Sequence, residues 1–354
     1  MKPDAPLVHE ENKSNILKLP YKLVAGNVEE ARKASAFVAE DQFELTWVTH
    51  CCLGTEGIIA DFDLRNNLTT YRNTQIPSFA QRDYKDALRV MGLPDAKVRI
   101  IKPTIGGGFG SKLDTYGFEY IAILLAYVTR KPVKIQKTRE EEFRYTSTRQ
   151  PAIVRIAQGC DKGGKLTFRD ISMILDNGAY TSWGATTPSV MMMPISSLYK
   201  VPNVRYEAKC VYTNNTWSQA MRGYGNPQAT FAIESNLDQL AEAAGMDSLE
   251  FRLLNANEPG EVTPQRFKVT SCGMKECIQE VAERLDWKNR RKAGKTPGRG
   301  MGMAAGTRSS APSETGRLEH RPGQGELKSL EDQASHLAEQ LKSVQERIRA
   351  CKAS

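Results

Sequence analysis

Apolar side chains recur at helical or alternating spacing along most of the chain, and the pattern predicts its elements directly. Residues 81–91 (QRDYKDALRVM) predict a helix stopped by Gly92 and Pro94. Residues 97–102 (KVRIIK), rich in branched side chains, predict a β-strand. Residues 115–129 predict a helix that is apolar on nearly all sides, and such a helix should be buried. A strand follows at 131–136, and Thr138 with Glu141 forms a capping box for a short acidic helix. Segments 152–157 and 166–175 flank CDKGGK and predict a β-hairpin, with Asn177–Gly178 as a second turn. Further on, Asn226 is placed as N-cap and Pro227 at the first helical position of a helix ending at Gly245. Phe231, Leu237, Leu240 and Ala244 are assigned to its inner stripe. Asp247 with Glu250 opens another capped helix, and 274–285 predict one more. The body therefore reads as α+β or mixed α/β.

The pattern changes near the C-terminus. Residues 288–325 contain eight Gly and three Pro with almost no large apolar side chains, too few to build a core. Beyond them Leu327, Leu330, Ala334, Leu337, Leu341, Val344, Ile348 and Cys351 recur at alternating spacings of three and four. That heptad register predicts a coiled-coil helix about 37 Å long at ~1.5 Å per residue. A helix this short is marginal alone, so the stripe calls for a partner, and self-association through 327–351 is one expectation.

Composition sharpens the picture. With 354 residues, 40% of them hydrophobic, the chain is long enough for about two domains. The longest apolar run, 120–128, is too short to cross a bilayer, and the first residues lack the basic start and apolar core of a secretory signal. A cytoplasmic protein without membrane partners is expected. The net charge of +8 is local: residues 288–325 hold nine Lys and Arg against two Asp and Glu. That basic segment has no interleaved aromatics, which argues against a nucleic-acid partner. Seven scattered cysteines fit a reducing compartment. Cys272 and Cys277 have the spacing that opens an iron–sulfur run, but Glu280 stands where the next Cys is needed. His9, His50, His320 and His336 form no zinc signature, so no metal is expected directly on side chains.

Two segments could carry chemistry. In IKPTIGGGFGSK a predicted strand leads into four glycines within five residues and then into the apolar helix. Glycine lets a ligand approach main-chain N–H groups, and a helix N-terminus favours an anion. The segment is neither a dinucleotide fingerprint, because Ser111 occupies the third glycine position, nor a phosphate loop, because no GKS or GKT ends it. A structural turn and an anion or cofactor contact both remain open. In SQAMRGYGNPQ, Arg222 and Tyr224 alternate with Gly223 and Gly225 just before a helix. A guanidinium and an aromatic face there could grip a planar anionic ligand; a surface Arg beside a core Tyr is the alternative.

GGGFG after a strand, together with AMRGYGNPQATFAIES, resembles the molybdopterin-binding subunit of the xanthine dehydrogenase and aldehyde oxidoreductase family. NTQIPSFAQRDY, VTHCCLGTEGIIADFD and SLYKVPNVRYEAKCVYTNNTWSQ match its ordered blocks, and the resemblance covers about residues 2–306. The HCC at 50–52 and AMRGYGNPQ resemble the 4-hydroxybenzoyl-CoA reductase and aldehyde oxidoreductase side more than the purine side.

The resemblance implies the first molybdopterin-binding half-domain of the molybdenum hydroxylase fold over 1–306; beyond it, composition and spacing give a linker at 307–326 and a heptad coiled-coil helix at 327–352. It implies a molybdenum–molybdopterin cofactor, in its dinucleotide form, with iron–sulfur and FAD groups on partner chains. Gln75 matches a glutamine that bonds an oxo ligand of the metal. Gly107, Gly108, Phe109, Gly110 and Arg222 match cofactor-lining positions, and Tyr224 matches an aromatic that packs on substrate. Leu113 stands where purine-oxidising members carry a substrate-binding Glu, and the position near Val190 lacks their substrate Arg. An aromatic or aldehyde substrate is therefore expected, in oxidation or reductive dehydroxylation. The family's catalytic glutamate, in a GVGE motif, has no counterpart in these 354 residues, so no catalytic residue is assigned. The family's second cofactor-binding half and a preceding domain also have no counterpart. Two expectations follow: a partial molybdenum hydroxylase large subunit, or a non-catalytic fragment or fusion that associates through its coiled coil.

Overall fold

The computed structural model describes residues 4–292 and 300–306. The linker at 307–326 and the heptad helix at 327–352 lie outside the described residues. In chain order the elements begin with β1 (Tyr21–Ala25), α1 (Val28–Ala34), β2 (Phe37–Leu45) and β3 (Val48–Thr49). Next come β4 (Gly57–Phe62), β5 (Leu68–Arg72), α2 (Pro77–Val90), β6 (Val98–Ile101), α3 (Gly117–Thr129), β7 (Val133–Gln136) and α4 (Arg139–Tyr145). The chain continues through β8 (Thr148–Arg149), β9 (Ala152–Cys160), β10 (Leu166–Gly178), α5 (Thr187–Ser197) and β11 (Asn203–Tyr212). It then forms α6 (Asn226–Ala243), α7 (Ser248–Asn255), α8 (Met274–Arg284) and α9 (Trp287–Lys292). This is a mixed α/β architecture. None of the described helices is long and apolar enough to cross a membrane.

Two compact units emerge. The first takes residues 4–50 with 145–292 and 300–306; the second takes 51–144. The first unit is built on a five-stranded sheet in the order β1-β11-β10-β9-β2. The predicted hairpin is β9–β10, antiparallel, with each strand running three residues further at its C-terminal end than expected. β10 pairs in parallel with β11, so the chain crosses over through α5 between them. The Asn177–Gly178 turn is not a turn. The strand runs through it with a bulge against β11, and a Cβ on Gly178 would lie 2.3 Å from the Thr216 carbonyl oxygen. Glycine here marks a close backbone approach, a role that a turn signal imitates in sequence.

Helix α6 covers this sheet with Ala229, Ala232, Ile233, Leu237, Leu240 and Ala241 buried. Phe231 does not share that stripe and is half exposed, its ring edge-on to Phe43 at 5.5 Å. At 100° per residue a side chain two positions from Ile233 lies across the helix from it, so the apolar character of Phe231 misled the assignment. The N-cap is Gly225, in a left-handed conformation, and Asn226 is already the first helical residue. The capping box of α4 forms as expected: the Thr138 N–H donates to Glu141 Oε2 at 2.7 Å and the Glu141 N–H to Thr138 Oγ1 at 3.2 Å. Asp247 caps α7 through the Leu249 N–H.

The second unit has a four-stranded sheet, β6-β5-β4-β7, on which α2 and α3 pack. Its core joins Ile58, Leu68, Tyr84, Leu88, Val98 and Ile123. Helix α3 is not buried all round: Ala122, Ile123, Leu124 and Ala126 face inward, while Ile121 is 54% exposed.

The interior of this unit also encloses charge. Arg72 contacts Glu119 at 3.0 Å, and the Tyr84 hydroxyl donates to the other oxygen of that carboxylate at 2.5 Å. Nearby, both Glu56 carboxylate oxygens are buried without a hydrogen bond among the described residues, and Lys137 Nζ lies 3.6 Å away. Burial pushes the Glu56 carboxyl well above its ordinary pKa, with Lys137 opposing. Such a group holds its proton more tightly folded than unfolded, so stability falls as pH rises above the ordinary value of about 4.3. Glu56→Gln is expected to flatten that slope and to raise the melting temperature most on the alkaline side. Thermal melts at about pH 5 and about pH 8 check it. An unchanged slope would refute this account of Glu56.

Candidate functional site

The glycine run Gly106–Gly110 leaves β6 and enters a single 3-10 turn, Ser111–Leu113, before α3 starts at Gly117. The expected direct feed into a helix N-terminus is thus replaced by this turn, and the loop's own amides are the donors to consider. Backbone φ is positive at Gly106, Gly107, Phe109 and Gly110. For Phe109, at φ 52°, the left-handed conformation costs about 1–2 kcal/mol, so its surroundings must impose it. A run of this kind gathers successive N–H groups into an anion-binding nest.

Gln75 closes the nest. The Gly110 N–H donates to Gln75 Oε1 at 2.8 Å, and the Gln75 N–H donates to the Lys112 carbonyl at 2.9 Å. The Cys52 thiol donates to the Gly108 carbonyl at 3.3 Å. Side chains at the adjacent glycines would fill the space: a Cβ on Gly107 would lie 3.0 Å from Phe109 Cε2, and one on Gly108 2.4 Å from Gln75 Oε1. Among the described residues, the amides of Gly107 and Gly108 and the Gln75 Nε2 group have no acceptor. Two backbone donors and one carboxamide donor without an acceptor, beside two glycines that lack a Cβ, fit a ligand rich in acceptors. Leu113 ends the same turn, its N–H donating to the Gly110 carbonyl at 3.2 Å.

The second predicted segment belongs to the first unit and is held by several groups. His50 Nε2 donates to the Ala220 carbonyl at 2.9 Å, and burial lowers the pKa of the ring. Arg149 donates from Nη2 to the Arg222 carbonyl at 2.9 Å and from Nη1 to Gln228 Oε1 at 2.8 Å. Tyr224, with φ 47°, donates its hydroxyl to the Trp183 carbonyl at 2.6 Å and also meets Thr186 Oγ1. The Tyr224 and Trp183 rings stand edge to face at 6.4 Å. The Tyr224 hydroxyl is therefore engaged within the protein, and what this residue offers a ligand is its ring.

The structure brings Gln75, Gly107, Gly108, Phe109, Gly110 and Leu113 together in one unit, and Arg222 and Tyr224 in one loop of the other. Sequence reasoning missed Arg149 and Trp183. Arg149 acts on a carbonyl 73 positions away, and no local spacing signals such a contact.

Comparison with known proteins agrees with this geometry. A family model described as molybdopterin cofactor-binding domain matches residues 8–256. The chain is 36% identical over 282 residues to the nicotinate dehydrogenase large molybdopterin subunit of Eubacterium barkeri, covering 79% of this chain and 65% of that one. It is 33% identical over 289 residues to the xanthine dehydrogenase molybdenum-binding subunit of Escherichia coli O157:H7, covering 81% of this chain and 38% of that one. In fold it resembles CO dehydrogenase from Oligotropha carboxidovorans, with TM-score 0.75 and 24% identity over 83% of this chain and 39% of that one. The aldehyde oxidoreductase of Desulfovibrio desulfuricans gives TM-score 0.75 and 23% identity over 84% of this chain and 33% of that one. The chain thus spans from about a third to 65% of the length of these relatives. With a nest of open amides beside a glutamine, and a family match over most of its length, the chain belongs to the molybdopterin cofactor-binding domain family of molybdenum hydroxylase large subunits.

Proposed function

We propose that this chain contributes cofactor-holding and substrate-facing residues to a molybdenum hydroxylase acting on an aromatic or aldehyde substrate, by oxidation or reductive dehydroxylation. One observation carries the reading: Gln75 is locked through Oε1 onto Gly110 while its Nε2 and the amides of Gly107 and Gly108 keep their donors open. The bound molybdenum–molybdopterin group, taken in its dinucleotide form, supplies the redox chemistry. Gln75 would offer Nε2 to an oxygen on that group, and the backbone of Gly107, Gly108, Phe109 and Gly110 would hold it; in the other unit, Arg222 is proposed as a cofactor-lining residue. Tyr224 offers a ring face to the substrate, its hydroxyl held by Trp183. Leu113 offers an aliphatic side chain, so this position provides no acceptor for a heterocycle N–H. The similarity to a subunit named for nicotinate dehydrogenase supports an aromatic substrate.

The GVGE base has no counterpart in this sequence, so the proton acceptor is assigned to another segment. Iron–sulfur and flavin groups are assigned to partner chains. Residues 1–306 are proposed as the cofactor-binding part of a cytoplasmic complex; the linker and helix expected at 307–352 lie outside the described residues.

The test is metal and pterin content. The full chain, expressed with molybdenum alone and with the genes flanking its own, should carry stoichiometric molybdenum and pterin in at least the second preparation. Absence of both from every preparation would leave only a non-catalytic fragment that associates.

A further inference from the structure

Lys112 follows the glycine run and is the most buried lysine among the described residues, with no exposed surface. An ammonium in such a place is costly without a countercharge, and burial lowers its pKa. The other buried lysine, Lys137, has Glu56 at 3.6 Å. Lys112 has no carboxylate at ion-pair distance among the described residues; its Nζ donates to the Gly54 carbonyl at 2.7 Å and the Ile105 carbonyl at 2.6 Å.

Those two carbonyls lie where two segments press together. The Gly54 N–H donates to the Gly106 carbonyl at 3.1 Å, and a Cβ on Gly54 would lie 2.9 Å from the Ile105 oxygen. The Lys112 carbonyl meanwhile accepts from the Gln75 N–H at 2.9 Å and from Thr74 Oγ1 at 3.4 Å. One residue therefore ties together the entry to the glycine run, the segment packed against it, and the segment that carries Gln75.

We propose that Lys112 is the positioning residue of this loop, and that its charge stays unpaired by any carboxylate because the ligand of the loop is anionic. The inference rests on the cofactor reading of the loop given above. A neutral donor would make the same two hydrogen bonds without the desolvation cost, so retention of an ammonium points to a negative charge that arrives with the ligand.

The test compares Lys112→Met, Lys112→Gln and Lys137→Met in the full chain, reading hydrogen exchange at residues 105–111, melting temperature and molybdenum content. Lys112→Met should raise loop exchange about tenfold relative to the rest of the second unit, the size expected for losing hydrogen bonds from a charged donor. Its molybdenum content should fall in step. Lys112→Gln, which keeps an N–H donor without charge, should retain more loop protection than Lys112→Met yet lose molybdenum comparably. It carries the test alone if the Met variant does not fold. Lys137→Met should lower the melting temperature without singling out the loop. Equal loop exchange and molybdenum loss in the Lys112 and Lys137 variants would overturn the inference, as would wild-type behaviour of both Lys112 variants. Wild-type protein that never carries molybdenum would overturn the proposed function instead, while the exchange result would still decide whether Lys112 positions the loop.

Discussion

Replacing Gly108 by Ala is expected to remove the cofactor from the chain while leaving its fold in place. The added methyl would sit 2.4 Å from Gln75 Oε1, 2.7 Å from Cδ and 2.8 Å from Cγ, so the carboxamide must leave its place. Gly110 then loses its acceptor and the Nε2 donor loses its orientation. Losing that one hydrogen bond costs about 1 kcal/mol of stability, too little to unfold the chain. Its effect on cofactor content should be far larger, because a ligand held by a few oriented donors is sensitive to shifts of about 1 Å. Gly108 lies outside the left-handed region, so the substitution tests space and not backbone strain. Gly117→Ala is the control, since its Cβ would meet nothing within 4 Å. Molybdenum content and melting temperature together decide the matter. Wild-type molybdenum in Gly108→Ala would mean that the Gln75 clasp is not the cofactor site.

The second large effect concerns stability. Arg72→Met should destabilise the second unit by about 3–5 kcal/mol, the range for stripping the partner from a buried charge. Arg72 and Glu119 are both almost fully buried at 3.0 Å separation, and Arg72 also donates to the Asp114 carbonyl. Burial raises the Glu119 pKa and Arg72 opposes that shift, so without Arg72 the carboxyl is expected to take up a proton. The double variant Arg72→Met, Glu119→Leu should recover most of the loss, because a buried pair is often worth no more than an apolar one of similar volume. Hydrogen-exchange protection of α2 and α3 amides, measured for both variants, reads this directly. A loss below about 1 kcal/mol in Arg72→Met would show that the pair is not a stability determinant.

Much of the secondary structure was legible. Patterns at 97–102, 131–136, 138–141 and 247–250 are local, resting on branched side chains and on caps that act within four residues, and the corresponding elements form. The errors share a cause: each judged a residue by type without its neighbours. Phe231 is apolar but lies off the stripe of α6, Asn177–Gly178 has turn composition but lies in a bulge, and Ile121 is apolar but exposed on α3. Strands β1, β2, β4 and β5 carry little regular alternation and are fixed as strands by the neighbours that pair with them, whereas β11 alternates apolar and polar residues from Val204 to Cys210, a legible signal that was missed.

The candidate site divides the same way. The glycine run, Gln75, Arg222 and Tyr224 were found as words in the sequence, because glycine spacing and family motifs are linear features. That Gln75 turns its oxygen onto Gly110, that Lys112 binds the carbonyls of Gly54 and Ile105, and that Arg149 holds the carbonyl of Arg222 are facts of the folded chain alone. The sequence by itself determined which residue types are available and where the backbone is free to take left-handed turns. Only the tertiary structure decided which donors are occupied and which stay open. A hydrogen bond depends on distance and direction, and chain separations of 7, 35, 58 and 73 positions leave both undetermined until the chain folds.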